Sequence, residues 1–325
     1  ESESGLSRIQ IEEVASLYCE SKKVIACWAM GLTQQKHAVS TIQHIVNLLL
    51  LRGNIGRPGA GVCPVRGHSN VQGDRTVGIT EHPNESFLKN LDVQFGISSP
   101  RNSGFNTVQA IQAMESKSVK VFMGMGGNFA RATPDSSRTE EALAKCELTV
   151  QVTTKLNKTH LAHGKKALIL PCLGRSELDV QASGKQHVTV EDSMGVVHSS
   201  RGRNLPASKN LKSEVAIVVG MARAAFTENQ RIWQALQDDY SLIRKKIEAV
   251  LPELFEDYNE KITQPGGFQL YNSAAARKWN TKTGKARFIT KALPILEVPA
   301  GKLRLMTIRS HDQYNTTIYS THILL

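Results

Sequence analysis

The chain has 325 residues and carries 40 Lys or Arg against 29 Asp or Glu, a formal charge of +11 at neutral pH. This length supports one or two globular domains, and no apolar run approaches the roughly 20 residues that a membrane-spanning helix requires. The positive charge indicates an anionic partner and leaves open whether that partner is a nucleic acid, a nucleotide cofactor or an acidic substrate.

The first predicted elements form half of a parallel α/β layer. IEEVASLYCESKK has helical spacing of apolar residues and leads into VIACWAMG, which predicts a buried strand. A polar turn follows, and then HAVSTIQHIVNLLLLRG, a helix that we expect to end at Gly53. A strand, a turn and a helix in this order are typical of parallel α/β folds.

Residues 59–101 lack periodicity and are rich in Gly, Asn, Pro, Ser and His, which predicts a long loop that is either functional or disordered. The loop begins with GAGVCPVRGHSNVQGD, in which four glycines surround Arg66. Glycine lets the backbone approach a ligand closely. Arg66 is therefore a candidate for contact with a ligand, or alternatively a brace of the loop.

Regular alternation returns after this loop and predicts an α/β fold with a doubly wound, mainly parallel sheet. Its predicted elements are a helix in TVQAIQAMES, a strand in VKVFMGMG, a helix in TEEALAKC, and strands in LTVQVTT and ALILP. Extended segments QHVTVED and GVVHSSRGR follow, then a helix in SEVAIVVGMARAAF and a helical stretch over 229–260. KLRLMTIRS predicts a strand that opens a further, β-rich domain.

The turn VKVFMGMGGNFARA raises the question of dinucleotide binding, because a strand delivers Gly124, Gly126 and Gly127 to a place where phosphate could meet backbone N–H groups. Phe129 replaces the third glycine of G-x-G-x-x-G, and the next strand ends in threonines instead of a carboxylate, which disfavours an ordinary NAD site. Asn128, Arg131 and Asp135 could wrap a nucleotide in another way, or the turn could serve only as a helix cap.

The five cysteines, Cys19, Cys27, Cys63, Cys146 and Cys172, form no Cys-x-x-Cys pair, so we expect no metal centre held by this chain's thiols alone. Cys27 and Cys172 lie in apolar strand-like runs, which favours buried and inert thiols. Unpaired cysteines favour a reducing, cytoplasmic location. The chain starts without Met and stops in TIYSTHILL, so we expect an internal part of a longer protein.

One long block, MGLTQQKHAVSTIQHIVNLLLLRGNIGRPGAGVCPVRGHSNVQGD, resembles the molybdopterin oxidoreductases of the dimethyl sulfoxide reductase type, and among them the formate dehydrogenase alpha-subunit-like proteins. VFMGMGGNFARATPDS is similar to the nucleotide-cradling turn of that family, ALILPCLGRSE to its Leu-Pro strand end, and GVVHSSRGR to its Gly-x-x-x-Asn-x-x-Gly-Arg segment. TIRSHDQYNTTIYS resembles the opening of its C-terminal barrel. The resemblance covers nearly the whole chain.

The resemblance implies four parts: a remnant of one α/β cofactor-binding domain (1–58), a second, Rossmann-like cofactor-binding domain with a substrate loop at 59–101 (59–228), a helical and hairpin connection (229–300), and the start of a molybdopterin dinucleotide-binding β-barrel (301–325). It also implies two molybdopterin guanine dinucleotides per molybdenum. A 4Fe–4S cluster and the molybdenum ligand would come from an N-terminal part outside this chain, so the chain alone should be inactive.

The site residues implied by the resemblance fall into two groups. The catalytic candidates are Arg66, which would hold a substrate carboxylate, and His68 as a second candidate. The cofactor-binding candidates are Met30, Gly31, Thr33, Gln34, Gly67, Asn70, Gln72, Gly126, Asn128, Arg131, Asp135, Thr153, Arg309, Ser310, Gln313 and Asn315.

The resulting hypothesis is a formate dehydrogenase-like enzyme that acts on formate or a similar small molecule and passes electrons to an iron–sulfur centre and an accepting subunit or carrier, with no nucleic acid and no membrane span. The alternatives are a nucleotide-binding α/β module without molybdenum and a basic nucleic-acid-binding protein. For the latter, the chain lacks a recognised nucleic-acid-reading motif.

Overall fold

The computed structural model describes residues 4–292, 298–303 and 305, together with the backbone of 313–314 and 316–317. The described residues group into two compact units. The first unit takes its residues from 1–69, 191–196 and 269–308, and the second from 70–190, 197–268 and 309–325. The four-part division expected from the sequence stays a prediction.

The first unit contains a parallel two-stranded sheet with helices along the same stretch of chain. Its elements are α1 (Arg8–Glu20), β1 (Ile25–Trp28), α2 (Met30–Thr33), α3 (Ala38–Leu51) and β2 (Gly61–Pro64). Ser7 and Gln10 form a capping box that starts α1. Gly53 follows the end of α3 with φ of 65°, the left-handed conformation that glycine adopts most easily at this position.

The second unit is built around a three-stranded parallel sheet in the order β3-β4-β5. Its helices and strands are α4 (Val71–Thr76), α5 (Glu85–Phe95), α6 (Thr107–Glu115), β3 (Val121–Met125), α7 (Phe129–Ala132), α8 (Ser136–Ala144), β4 (Leu148–Thr153), β5 (Lys166–Pro171), β6 (Val180–Gln181), β7 (Gly184–Lys185), α9 (Glu214–Ala225), α10 (Gln230–Asp238), α11 (Tyr240–Val250), α12 (Pro252–Phe255) and α13 (Tyr258–Lys261).

Three further strands, β8 (Val188–Glu191), β9 (Val196–Ser200) and β10 (Phe268–Gln269), have residues divided between the two units. Single turns of 3₁₀ helix cover Lys158–Leu161 and Thr227–Asn229. In the segment expected to open a barrel, β11 (Gln313–Tyr314) pairs antiparallel with β12 (Thr316–Thr317).

Helices pack on both faces of the β3-β4-β5 sheet. On one face, Phe122 packs with Met114 of α6 and Leu143 of α8, which are 1% and 0% exposed. On the other face, Val152 packs with Cys172 and Ile217 of α9. Successive side chains of a strand point to opposite faces, which allows one sheet to carry both helix layers. The expected α/β fold with parallel sheets is confirmed.

Three sequence expectations are wrong. The strand in VIACWAMG is not buried, because every residue of β1 is exposed or half-buried. The stretch 59–101 is not one long loop, because β2, α4 and α5 lie within it. Asn84 caps the start of α5 by accepting from the N–H of Phe87, and Gly96 ends it in the left-handed conformation. Cys172 is buried as expected, but Cys27 is exposed, since it shares with Ile25 a face of β1 that no described residue covers fully.

Candidate functional site

A cleft of about 690 Å³ opens in the second unit at the carboxyl ends of its three parallel strands. Gly126 and Gly127 follow β3, Thr153 ends β4, and Cys172 to Gly174 follow β5, and all of them line the cleft. The loops at this edge of an open parallel sheet form the usual ligand crevice of α/β folds. The topology therefore makes this cleft the leading candidate site of the second unit.

The glycine turn after β3 leaves its side of the cleft open. Gly126 and Gly127 have φ angles of 68° and 71°, which side chains other than glycine rarely adopt. A Cβ built on either residue would meet no atom within 4 Å. The Gly126 N–H donates to the carbonyl oxygen of Val152 at 2.8 Å and ties the turn to β4. The turn is thus fixed in place while its outer face stays accessible.

The N-terminus of α9 points its first residues into the cleft. The Ser213 side chain caps the helix by accepting from the N–H of Ala216 at 3.1 Å, and Ser213, Glu214 and Val215 line the cleft. The N–H groups and the dipole of a helix N-terminus favour an anion. Burial raises the pKa of Glu214, although Arg175 opposes this shift, so the carboxylate's charge is less favoured than in water.

Two arginines add positive charge to the same cleft. Arg175 donates through Nη2 to the Ser200 hydroxyl at 3.1 Å. Arg201 is exposed, and within the described ranges no acceptor or carboxylate engages its guanidinium. A guanidinium binds phosphate or carboxylate oxygens through paired N–H groups. Arg201 is therefore available to a ligand in a way that a paired surface arginine is not.

Glu177 braces the loops that form the cleft's rim. Its carboxylate accepts from the backbone N–H of Gly174 at 2.6 Å and of Ala207 at 2.5 Å. These two hydrogen bonds lower the pKa of Glu177, because both stabilise the charged form. Gly202 lies so close that a Cβ there would stand 2.0 Å from the Glu177 carbonyl oxygen. Glu177 thus has a structural role, and Gly202 allows the loops to meet.

Tyr240 anchors a buried polar wall. Its side chain is 2% exposed, and its hydroxyl donates to the carboxylate of Asp179. The Ser213 hydroxyl lies 2.8 Å from the same phenol oxygen, and the Tyr240 N–H donates to Gln186 Oε1 at 3.0 Å. Burial and then the Asp179 hydrogen bond raise the pKa of Tyr240, so the phenol stays protonated. The wall fixes the N-cap of α9 beside the cleft.

His187 lines the cleft and has a buried ring nitrogen. Its Nε2 has no hydrogen-bond partner among the described residues, and its carbonyl oxygen accepts from Arg244. Burial, then the positive charges of Arg244 and Arg201, lower the pKa of His187 and keep the imidazole neutral at neutral pH. A buried polar atom without a partner is costly.

Only some of the residues that the sequence predicted for this unit line the cleft. Gly126 and Thr153 line the cleft, whereas Asn128, Arg131 and Asp135 do not. Asn128 accepts from the Thr159 hydroxyl at 2.9 Å, Arg131 pairs with Glu140 at 2.8 Å, and Asp135 caps α8 by accepting from the N–H of Arg138. Internal contacts thus occupy all three.

Asn70 and Gln72 lie at the start of α4. Asn70 donates through Nδ2 to Asp74 at 3.1 Å, and the Gln72 carbonyl accepts from the Thr76 hydroxyl at 3.1 Å. Neither lines the cleft. Both stay cofactor candidates, and the hydrogen bonds described here join them to residues of α4.

The first unit brings two predicted segments together at the carboxyl ends of β1 and β2. The two strands are parallel, and the N–H of Val65 donates to the Trp28 carbonyl at 2.7 Å just beyond them. Met30, Gly31 and Thr33 form the helical turn α2, and the N–H of Gln34 closes it by donating to the Met30 carbonyl.

Arg66 and Gly67 follow Val65 and are exposed, and His68 is half-buried. Within the part of the chain that the structure describes, the Arg66 guanidinium has no hydrogen-bond or ion-pair partner, so no contact there ties it down as a loop brace. His68 does have a contact.

The barrel-side candidates Arg309, Ser310 and Asn315 lie outside the described residues, and for Gln313 the structure describes only the backbone, in β11. Their proposed contacts with a pterin stay predictions.

Several cleft residues were not singled out from the sequence. Arg175, Ser200, Arg201 and Gly202 lie within the quoted motifs ALILPCLGRSE and GVVHSSRGR or directly beside them, so the motifs pointed to the right loops. Asp179, Gln186, His187 and Tyr240 belong to the β6-β7 hairpin region and to the start of α11. No motif or periodicity marks them, and only the folded chain brings them together.

The family model described as molybdopterin oxidoreductase matches residues 13–171, which include the β1–β2 pair and the whole β3-β4-β5 sheet. The chain belongs to the molybdopterin oxidoreductase family.

The curated relatives of this molybdopterin oxidoreductase chain are longer proteins. It is 56% identical over 318 residues to an uncharacterized oxidoreductase of Mycobacterium tuberculosis, an alignment that covers 97% of this chain and 41% of the relative. It is 51% identical over 320 residues to the protein YdeP of Escherichia coli, covering 97% and 42%. A nitrate reductase of Shewanella frigidimarina is 24% identical over 360 residues, covering 98% and 36%. The chain thus spans less than half the length of these relatives.

None of the helices in the described ranges has the length and apolar character needed to cross a membrane.

Proposed function

We propose that this chain forms part of a formate dehydrogenase-like enzyme of the dimethyl sulfoxide reductase type, with molybdenum bound by two molybdopterin guanine dinucleotides. The observation that carries the proposal is the cleft at the carboxyl ends of β3, β4 and β5 in a chain of this family. Family membership favours an oxidoreductase over the two alternatives, a molybdenum-free nucleotide module and a nucleic-acid-binding protein.

The cleft residues fit the nucleotide end of such a cofactor. An open glycine turn, the N-terminus of α9 and the guanidinium of Arg201 offer N–H groups to phosphate oxygens. Because Asn128, Arg131 and Asp135 are engaged elsewhere, we assign the nucleotide contacts to the cleft residues first and keep those three as secondary candidates.

Arg66 is proposed to orient the substrate. Its exposed guanidinium can bind the carboxylate of formate through two parallel N–H···O bonds and stays charged at any working pH. Met30 to Gln34, at the same edge of the β1–β2 pair, are proposed to contact a pterin. The bound metal cofactor would supply the two-electron redox chemistry, and the protein would orient the substrate and exclude competing reactions.

The remaining parts are proposed to come from the longer protein. A 4Fe–4S cluster and the molybdenum ligand would lie outside this chain, which covers 41% of the Mycobacterium tuberculosis relative. An accepting subunit or carrier would then receive the electrons, and a cytoplasmic location remains part of the proposal.

The identity of the substrate is the most specific part of the proposal. One relative is named a nitrate reductase. Nitrate, like formate, is a small planar oxyanion that a guanidinium fork can hold. The test is to assay the purified full-length protein for formate-dependent reduction of a dye and, separately, for nitrate-dependent oxidation of a reduced dye. Formate activity supports the proposal, and nitrate activity without formate activity contradicts the substrate assignment.

A further inference from the structure

Two thiols of the first unit face each other across neighbouring strands. Cys27 of β1 and Cys63 of β2 are direct partners in the parallel register, between the pairs Ala26–Val62 and Trp28–Pro64. Side chains of directly paired residues project from the same face of a sheet. Cys27 is exposed and Cys63 is half-buried, and neither forms a disulfide in the structure. The pair is thus two reduced thiols side by side on an accessible face.

The spacing of paired strands suits a disulfide. Adjacent strands lie about 4.7–4.9 Å apart, and disulfides join residues whose Cα atoms are about 4.4–6.8 Å apart. Burial, and then the neighbouring Cys27 thiol, raise the pKa of Cys63, which agrees with the direct pairing of the two residues in the register. Among the described residues no third His, Cys, Asp or Glu joins them in a metal-binding group.

We propose that Cys27 and Cys63 form a reversible cross-strand disulfide, and that this bond acts as a redox switch at the base of the segments that lead to Met30 and Arg66. The oxidant is a low-molecular-weight disulfide such as glutathione disulfide. The thiolate of Cys27, the more exposed residue, attacks one sulfur of the oxidant, so one glutathione thiolate leaves and a mixed disulfide forms. Cys63 then loses its proton and attacks the Cys27 sulfur, and the second glutathione leaves. Two protein thiols are oxidised, and one glutathione disulfide is reduced to two thiols.

The position of the pair connects this chemistry to the first-unit site. Met30 follows Cys27 by three residues and Arg66 follows Cys63 by three residues. A covalent bond between β1 and β2 would restrict the segments that lead from these strands to Met30 and to Arg66. The Val65 N–H already donates to the Trp28 carbonyl at the same place. The expected effect on turnover rests on the proposed function, whereas formation of the disulfide does not.

The other cysteines provide internal references. Cys19 lies on α1 and is exposed, so it tests for reaction that depends on accessibility alone. Cys146 and Cys172 are buried, and burial raises the pKa of both thiols. Neither should react with the oxidant in the folded protein.

The experiment is anaerobic oxidation of the full-length protein with glutathione disulfide, alkylation of the remaining thiols and non-reducing tryptic peptide mapping. Cleavage after Lys23, Lys36, Arg52 and Arg66 places Cys27 in peptide 24–36, Cys63 in peptide 53–66 and Cys19 in neither. We expect a cross-linked 24–36/53–66 pair that is two hydrogen atoms lighter than the sum of its peptides and that dithiothreitol separates. A Cys19→Ser variant should give the same pair. Cys27→Ser and Cys63→Ser should lose it, and Cys63→Ser should retain a glutathione adduct on Cys27.

Two results would overturn the disulfide: alkylation of both cysteines after oxidation, or a glutathione adduct on Cys27 that persists in the unmodified sequence. If Cys63→Ser fails to fold, the peptide map of the unmodified sequence still decides. Formate-dependent dye reduction measured before and after oxidation tests the switch. A cross-linked protein with unchanged turnover overturns the regulatory role, while absence of turnover in the reduced protein counts against the proposed function and leaves the disulfide standing.

Discussion

The backbone N–H of Val65 donates to the carbonyl oxygen of Trp28 at 2.7 Å, one residue beyond the paired strands β1 and β2. This hydrogen bond extends the register past the end of the sheet. It fixes the direction in which the chain leaves each strand, toward Met30 after β1 and toward Arg66 after β2. Residues distant in sequence are thereby presented at one edge of the first unit.

Arg66→Lys should damage substrate binding while sparing the cofactor. Lysine keeps the charge and loses the planar fork, so we expect kcat/KM for formate in the full-length protein to fall by about tenfold to a hundredfold. Molybdenum and pterin content should stay unchanged. Arg57→Lys, an exposed arginine in the same unit, is the matched control and should have no effect. If cofactor content drops in step with activity, Arg66 supports the loop or the cofactor instead.

Arg201→Ala and Arg131→Ala separate the cleft from the alternative nucleotide contacts. Arg201 lines the cleft without a partner in the described ranges, while Arg131 pairs with Glu140 and lies outside the cleft. We expect the guanine nucleotide released from purified protein by acid hydrolysis to decrease for Arg201→Ala and to stay unchanged for Arg131→Ala. The reverse pattern would return the nucleotide contact to the loop containing Asn128.

Gly202→Ala should destabilise the second unit, because its Cβ would lie 2.0 Å from the backbone oxygen of Glu177. The cost of such overpacking is about 1–3 kcal/mol, and the urea midpoint should fall accordingly. Gly220→Ala is the control, since an added Cβ at this exposed position in α9 meets nothing within 4 Å. That variant should gain up to about 1 kcal/mol from helix propensity. Equal urea midpoints for Gly202→Ala and Gly220→Ala would contradict the close approach of Gly202 to the Glu177 carbonyl oxygen.

Glu177 should contribute to stability in a pH-dependent way. The N–H groups of Gly174 and Ala207 lower the pKa of Glu177 below its ordinary value in the folded state. Its contribution is therefore fully present above the unfolded pKa and is lost as the pH falls through the lower folded pKa. The destabilisation caused by Glu177→Gln should be largest at neutral pH and should shrink in acid. Glu228→Gln changes an exposed residue and is the control, so its free energy of unfolding should follow that of the unmodified protein at every pH. If the free energy of unfolding of all three proteins falls in parallel as the pH is lowered, the assignment is wrong.

Periodicity was sufficient to predict the α/β fold, because strands such as LTVQVTT and helices such as α9 carry their apolar residues at the spacing that burial requires. It missed α5, whose charged sequence ESFLKNLDVQF lies in a glycine- and asparagine-rich region and is defined by its caps, Asn84 and Gly96. It also assigned Cys27 to the core, because the apolar character of a short strand does not reveal which of its faces is covered.

The candidate site was only partly accessible from the sequence. The loops that bear Gly126, Arg175 and Arg201 lie in the motifs that carry the family resemblance, VFMGMGGNFARATPDS, ALILPCLGRSE and GVVHSSRGR, so the resemblance identified them. His187 and Tyr240 carry no such mark, because their roles depend on burial and on partners such as Arg244 and Asp179, which are distant in sequence. Local pattern thus located the cleft's edges, whereas tertiary contacts determined its buried wall.

The most direct test of the central claim is metal and cofactor analysis of the purified full-length protein. The account predicts molybdenum together with guanine released from a pterin dinucleotide, in a ratio of two guanines per molybdenum, with iron from a 4Fe–4S cluster. A protein folded and purified from cells that make the cofactor, yet containing neither molybdenum nor a guanine-bearing pterin, would contradict it.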